Sequence, residues 1–196
     1  MIINNPQFIK SASDSSGFYS SDKAQIAVAG KSNVGKSSFI NMLAVRKIAR
    51  TSVQPGRTRL INYFDMGGFI LTDLPGYGYA KAPKSEIKKW GDLIESYFST
   101  ESTLKAAVML VDIRHIPTQL DIQLSEYLYA KQLPFVIFAT KADKISKSGT
   151  LTNIREIAAA LKVGQDNIIA VSNTQKTGRD KALSAIHKLL QQPEQI

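Results

Sequence analysis

Cysteine does not occur among the 196 residues, which excludes disulfides, thiolate-bound zinc and cysteine nucleophiles together. Histidine is almost as scarce. His115 and His187 stand far apart without evident ligand partners, and both read as surface or internally satisfied side chains. Long apolar runs are missing too: stretches such as AAVMLV (106–111) fall far short of the ~18 residues a membrane helix needs. The N-terminus lacks the charged-then-apolar pattern of an export signal. These absences predict a cytoplasmic protein with no membrane contact. Acidic residues are the minority, 16 Asp and Glu against 25 Lys and Arg, for a formal charge of +9. That balance predicts an anionic partner, nucleic acid or ribonucleoprotein foremost, with small phosphates the alternative.

Apolar residues make up 43% and charged residues 21%, which suits one soluble domain with a sizeable core. Residues 1–24 form a polar, Ser-rich N-terminal arm, either flexible or packed through Ile2, Ile3, Phe8 and Ile9. Residues 25–191 are expected to form the single domain, and 192–196 a short tail. Six strands are predicted: QIAVA (25–29), RLINYFDM (59–66), FILT (69–72), AAVMLVD (106–112), FVIFA (135–139) and NIIAVS (167–172). Several are near-continuous apolar runs, as in strands covered on both faces. RLINYFDM alternates instead and meets FILT through Gly67-Gly68, a hairpin signal that puts one antiparallel strand at a sheet edge.

Helical spacing appears at 39–45, 84–98, 152–161 and 180–190. In 84–98 the apolar stripe is Ile87, Trp90, Ile94 and Phe98, so Trp90 reads as core. A further helix opens at Thr118 with Asp121 three residues on, a cap-like start, and carries Leu120, Leu124 and Leu128 along one side. The alternation predicts a three-layer α/β domain: a mostly parallel six-stranded sheet with one antiparallel edge strand and helices on both faces.

The first strand of that domain runs into GKSNVGKSS (30–38), which matches G-x-x-x-x-G-K-S. Gly30 and Gly35 permit a tight loop whose N–H groups point at a polyphosphate, and the following helix adds its positive end. Lys36 reaches β- and γ-phosphates, and the Ser37 hydroxyl can ligate Mg²⁺. This context predicts a bound nucleoside triphosphate.

Farther on, FVIFA leads into TKAD (140–143). The Asp143 carboxylate can accept bonds from guanine's ring N–H and exocyclic amine, a pair adenine does not offer. The stem of Lys141 can lie along the base, and backbone N–H groups of VSN (171–173) can meet the guanine carbonyl. Taken alone, Asp143 has a second reading as a helix cap for the next segment. DLPGYGYA (73–80) likewise has two readings, a strand-ending Pro-Gly turn or a loop that senses phosphate.

The ordered set GKSNVGKSS, PGRTRLINYF (55–64), DLPGYGYA, TKAD and VSN resembles the EngB family within the TrmE-Era-EngA-EngB-septin-like P-loop GTPases. The resemblance runs from Gly30 to Asn173. It implies a GTP- and GDP-binding, GTP-hydrolysing switch in assembly of the large ribosomal subunit, acting as a monomer with Mg²⁺. Its nucleotide site would comprise Gly30, Lys31, Ser32, Asn33, Val34, Gly35, Lys36, Ser37 and Ser38 of the phosphate loop. Gly56, Arg57, Thr58, Arg59 and Leu60 would join from the first mobile loop, and Asp73, Leu74, Pro75 and Gly76 from the second. Thr140, Lys141, Ala142, Asp143, Val171, Ser172 and Asn173 would hold the base. Thr58 would complete Mg²⁺ coordination beside Ser37, Asp73 would hold a magnesium-bound water, and Gly76 N–H would touch the γ-phosphate. Lys36, Thr58 and Gly76 are thus the catalytic candidates.

Three positions qualify this picture. Thr140 stands where G proteins more widely have Asn, a shorter tie between base and phosphate loops, although EngB proteins share it. Tyr77 occupies the place where many G proteins carry a water-orienting glutamine, so unaided hydrolysis should be slow. Asn33 matches an asparagine that binds K⁺ in related TrmE- and EngA-type GTPases, the alternative being a loop-stabilising residue. Arg46, Lys47, Arg50, Arg57 and Arg59 flank the first mobile loop, and Lys81, Lys84, Lys88 and Lys89 follow the second. They are either a solvated surface or contacts to ribosomal RNA backbone. Two other functions stay open: a nucleotide-gated module for cell-division or membrane proteins, and a small P-loop kinase. TKAD and DLPG argue against the kinase.

Overall fold

The computed structural model describes residues 3–50, 60–78 and 84–192, without the side chains of residues 84–87 and Trp90. Alternating burial along the strands splits the core in two. Ile26 and Val28 of β2 (Gln25–Gly30) face one apolar cluster, and Ala27 and Ala29 the other. Along β5 (Leu104–Asp112), Ala106, Val108 and Leu110 oppose Ala107, Met109 and Val111 in the same way. This is the period-two pattern of a strand covered on both sides. The first cluster takes in Phe39, Ile40 and Leu43 of α1 (Lys36–Ala44) with Ala182, Ile186 and Leu189 of α5 (Arg179–Leu190). The second takes in Leu93 and Tyr97 of α2 (Lys84–Thr100), Leu128 of α3 (Gln119–Ala130), and Ile157 and Leu161 of α4 (Lys147–Leu161). Helices therefore cover both faces, as expected.

The remaining strands are β1 (Gln7–Ala12), β3 (Ile61–Asp65), β4 (Ile70–Asp73), β6 (Phe135–Thr140) and β7 (Ile168–Ala170). Their order is β1-β3-β4-β2-β5-β6-β7. The β4-β2-β5-β6-β7 part is parallel, while β3 runs antiparallel to both β4 and β1. Among the described residues the sheet thus has seven strands rather than six, and the predicted antiparallel edge strand β3 lies one place inside. Its outer neighbour comes from the arm. Ser11 Oγ donates to Asn62 Oδ1 at 2.7 Å, and the Phe8 ring meets Phe64 edge-on at 5.7 Å. Pairing with β3 was hard to foresee because most of β1 is exposed or half-buried, so hydrophobic alternation carries little signal there.

Two helices depart from their expected outlines. α4 begins at Lys147, not at 152, because Ser146 caps it by accepting from Gly149 N at 3.1 Å; the glycine in its first turn obscured the helical pattern. In α3 the predicted Leu stripe holds at Leu128, which is buried, and at Leu124, which packs against the second cluster, but Leu120 is 43% exposed, and Asp121 and Ser125 join the buried side. Two polar residues face inward because each has an acceptor or donor there, as described below for Asp121; Ser125 Oγ donates to Leu161 O at 3.4 Å. Ile94 and Phe98 pack against the second cluster as predicted, whereas the Ile87 and Trp90 side chains lie outside the described residues. Among the described residues, no helix is long and apolar enough to cross a membrane.

Candidate functional site

All six residues of β2 are buried, and the strand delivers the chain to its C-terminal end, where open α/β sheets place their ligands. Gly30 begins the turn. A Cβ there would lie 2.7 Å from the Leu110 carbonyl oxygen, so only glycine fits. Asn33 and Gly35 both adopt left-handed backbone, with φ of +62° and +106°, the conformation that curls the loop back on itself. Gly35 is the N-cap of α1 and supplies no side-chain cap. The first N–H groups of α1 are left to meet an anion, as helix starts do in phosphate sites.

Lys36 and Asp73 lie near enough to feel each other's charge. Lys36 Nζ lies 3.4 Å from Gly30 O. Burial pushes its ammonium below the ordinary lysine range, with Asp73 partly opposing. Asp73 ends β4 and is 2% exposed, and its Oδ1 is buried without a hydrogen-bond partner. Burial pushes that carboxyl up to about 6, against the pull of Lys36. A buried, unpartnered carboxylate oxygen is costly unless something polar completes it.

After Asp73 the chain folds onto the phosphate loop. Ser32 N donates to Tyr77 O at 2.8 Å, and Lys31 and Tyr77 pair as parallel backbone neighbours. Gly76 sits so close that a Cβ would lie 2.8 Å from Lys36 Nζ and 3.0 Å from Ser32 N. The Tyr77 side chain turns inward: it is 5% exposed, and its hydroxyl donates to Asp121 Oδ1 at 2.6 Å. Burial, then the Asp121 carboxylate, pushes this phenol far above its ordinary value. The other Asp121 oxygen accepts from Thr118 N at 2.7 Å and Thr118 Oγ1 at 2.6 Å, closing the capping box of α3.

The base side approaches from β6. Thr140 is fully buried, and its hydroxyl contacts Val34 O at 2.7 Å and Val111 O at 3.1 Å. The predicted tie between base and phosphate loops is therefore made, despite the shorter side chain. Lys141 Nζ donates to Asn33 O at 2.9 Å and to Asp112 Oδ2 at 2.8 Å. Asn173 Nδ2 donates to Gly35 O at 3.2 Å, leaving its Oδ1 buried and unpartnered. The ordering of Lys141 has a further source, Asp112, which sequence reasoning missed. Arg114 grips that carboxylate with two bonds, at 2.9 and 2.8 Å. Burial works against ionisation of Asp112, but the bonds from Arg114 and Lys141 outweigh it and hold the carboxyl well below the usual range.

Asp143 Oδ1 accepts from Ser172 Oγ at 2.6 Å, and this bond first of all lowers the Asp143 pKa. A cavity of about 410 Å³ opens between the two loops, lined by Val34, Gly35, Ser38, Lys141, Asp143, Lys144, Asn173 and Thr174. One expectation needs correcting. Val171 N donates to Ala139 O and Ser172 N to Thr177 O, so those two N–H groups are engaged within the protein rather than offered to a base. Ser172 acts through its hydroxyl instead.

The structure thus gathers Gly30–Gly35, Lys36, Asp73, Gly76, Thr140, Lys141, Asp143 and Asn173 at one end of the sheet. Ser37 opens α1 next to Lys36, Leu74 and Pro75 join Asp73 to Gly76, and Ala142 bonds its N–H to Val171 O at 3.1 Å. Leu60 precedes β3 and is 37% exposed. Gly56, Arg57, Thr58 and Arg59 lie outside the described residues, as do Lys81 and the Lys84 side chain. Lys88 and Lys89 are exposed, as are Arg46, Lys47 and Arg50.

Comparison with known proteins agrees with this geometry. The family model described as 50S ribosome-binding GTPase matches residues 25–141. A probable GTP-binding protein EngB of Desulfosudis oleivorans is 42% identical over 191 residues, covering 96% of this chain and 97% of that one. One from Lactococcus lactis is 44% identical over 190 residues, covering 95% and 97%. A crystal structure of a probable EngB superposes with a TM-score of 0.72 at 25% identity, covering 85% of this chain and 98% of the other. The chain belongs to the EngB family of GTP-binding proteins and is a P-loop GTPase.

Proposed function

We propose that this GTPase is a cytoplasmic, monomeric switch in assembly of the large ribosomal subunit, with residues 25–191 as its nucleotide-binding unit. The observation that carries the nucleotide part is the convergence of Lys36, Asp73 and Asp143 at one end of the sheet. The ribosomal part rests on the family described as 50S ribosome-binding and on the +9 charge. In this reading the loop N–H groups and the start of α1 hold the phosphates, and Lys36 neutralises charge on the terminal ones. Asp143 accepts guanine's two N–H donors while Lys141, held by Asp112 and Asn33, lies along the base. Water attacks the γ-phosphorus, the bond to the β–γ bridging oxygen breaks, and GDP and phosphate leave.

The unpartnered Asp73 oxygen and the Ser37 hydroxyl are hard oxygen donors that suit Mg²⁺. Ser37, Asp73 through water, and Thr58 would hold the ion, which when bound supplies positive charge to the β- and γ-phosphates. Because the Tyr77 hydroxyl bonds to Asp121, it does not serve to orient water, and unaided turnover is slow. Asn33, exposed in the phosphate loop, is the proposed K⁺ ligand. GTP turnover should be faster in K⁺ than in Na⁺, and equal rates would remove that role.

Association with the ribosome is tested by co-sedimentation with isolated large subunits and with lipid vesicles, each with a GTP analogue and with GDP. Pelleting with subunits in the analogue alone, falling steeply between 50 and about 200 mM salt, is the expected result. Pelleting with vesicles, or with nothing, contradicts it and favours an interaction module at a membrane.

A further inference from the structure

Lys141 is held more firmly than a connecting residue requires. Its backbone is left-handed, with φ of +63°, a conformation that residues other than glycine adopt rarely and that persists where the surroundings impose it. A lysine side chain is long and rich in rotamers, yet this one is pinned at its tip. Nζ reaches Asn33 O of the phosphate loop, 108 positions away, at 2.9 Å, and Asp112 Oδ2 at 2.8 Å. The first bond joins the base loop to the phosphate loop. The second gives the ammonium its countercharge in that place.

Asp112 is itself immobilised. It ends β5 opposite Thr140, the residue before Lys141, and Ile113 N donates to Thr140 O at 3.1 Å. Arg114 then grips the carboxylate with its planar fork: Nε donates to Oδ1 at 2.9 Å and Nη2 to Oδ2 at 2.8 Å, while Arg114 N adds a bond to Oδ1 at 3.1 Å. Such bidentate pairs fix direction as well as distance. The carboxylate cannot turn from Lys141 without giving up bonds to Arg114, and its side chain is only 16% exposed, so water competes little. Neither residue is among those lining the cavity. We propose that Asp112 and Arg114 are positioning residues for the guanine nucleotide, Arg114 fixing the Asp112 carboxylate and Asp112 fixing the Lys141 ammonium against the phosphate loop before the ligand arrives. The inference rests on the guanine-nucleotide reading of the site. It spares binding the cost of ordering a mobile lysine, worth roughly two- to tenfold in affinity.

The test is titration of the full chain and its variants with GDP and with inosine diphosphate, which lacks the exocyclic amine. Asp112→Asn keeps the shape and removes the countercharge, so GDP affinity should fall about tenfold. Arg114→Gln leaves Asp112 in place without its grip and should cost about threefold. Lys141→Met deletes the ammonium, and in that background neither substitution should lower affinity by more than about twofold further. The preference for guanine over hypoxanthine should move by less than about twofold in Asp112→Asn, because Asp143 is untouched. A merely structural Asp112 would cost the same with or without the Lys141 ammonium, and that result overturns the proposal. So would loss of the guanine preference, which would mean that the whole base loop had shifted. Should Asp112→Asn fail to fold, Arg114→Gln with and without Lys141→Met makes the same comparison. Failure of the unaltered chain to bind GDP would sink the reading of the site and the proposal with it; GDP binding that keeps its full strength in Asp112→Asn sinks the positioning role alone.

Discussion

The base loop and the sensor loop both border the phosphate loop, but they are fastened to it differently. From the base side, Lys141, Thr140 and Asn173 donate to the carbonyls of three successive residues, Asn33, Val34 and Gly35. From the sensor side, the backbone bond from Ser32 to Tyr77 joins a close glycine contact, and the anchoring side chain points away to α3. Three side-chain bonds, each worth about 0.5–1.5 kcal/mol or more, make the base pocket a preformed surface. The sensor loop instead meets the phosphate loop through backbone, and the Tyr77 hydroxyl is anchored to Asp121 of α3. The difference suits a protein that recognises guanine in every state and must respond to the presence of a third phosphate.

The sharpest way to probe the preformed side is Asp143→Asn. An amide presents one acceptor and one donor where guanine needs two acceptors, so GDP affinity should fall about 10³–10⁴-fold. Xanthosine diphosphate, with a carbonyl in place of the amine, should gain. Titration of both nucleotides measures this, and an undiminished preference for guanine would mean that Asp143 does not face the base. A smaller effect is expected from Thr140→Val, which keeps the shape but strands the buried Val34 carbonyl. A loss of about tenfold should fall equally on GDP and a GTP analogue, because the tie lies on the base side. Unequal losses would blur the division between the two loops.

Much of this arrangement was legible in the chain, and the reasons are local. The phosphate loop is signalled by glycines that the backbone requires, at Gly30 through a 2.7 Å approach and at Gly35 through positive φ. The helix start at Thr118 was visible because both halves of the capping box sit three residues apart. What escaped depends on distant partners. Nothing near Tyr77 in sequence names Asp121, 44 positions away, and Asp121 was read only as a cap. Asp112 likewise gives no local sign that it will pin Lys141, 29 positions on. The pairing of β1 with β3 joins residues from 49 (Ala12 and Ile61) to 58 (Gln7 and Asp65) positions apart and leaves an exposed edge, so neither spacing nor hydrophobicity announces it.

Beneath the contrast between the loops is the proposal that both serve a single nucleotide. Titration of the full chain with GDP, a GTP analogue and ATP, alongside Lys36→Ala, tests it most directly. Guanine nucleotides should bind at least about 10⁴-fold more tightly than ATP, and loss of the Lys36 ammonium should weaken both of them. Comparable affinities for ATP and the GTP analogue, or guanine binding untouched by Lys36→Ala, would show that the base pocket and the phosphate loop do not serve one nucleotide.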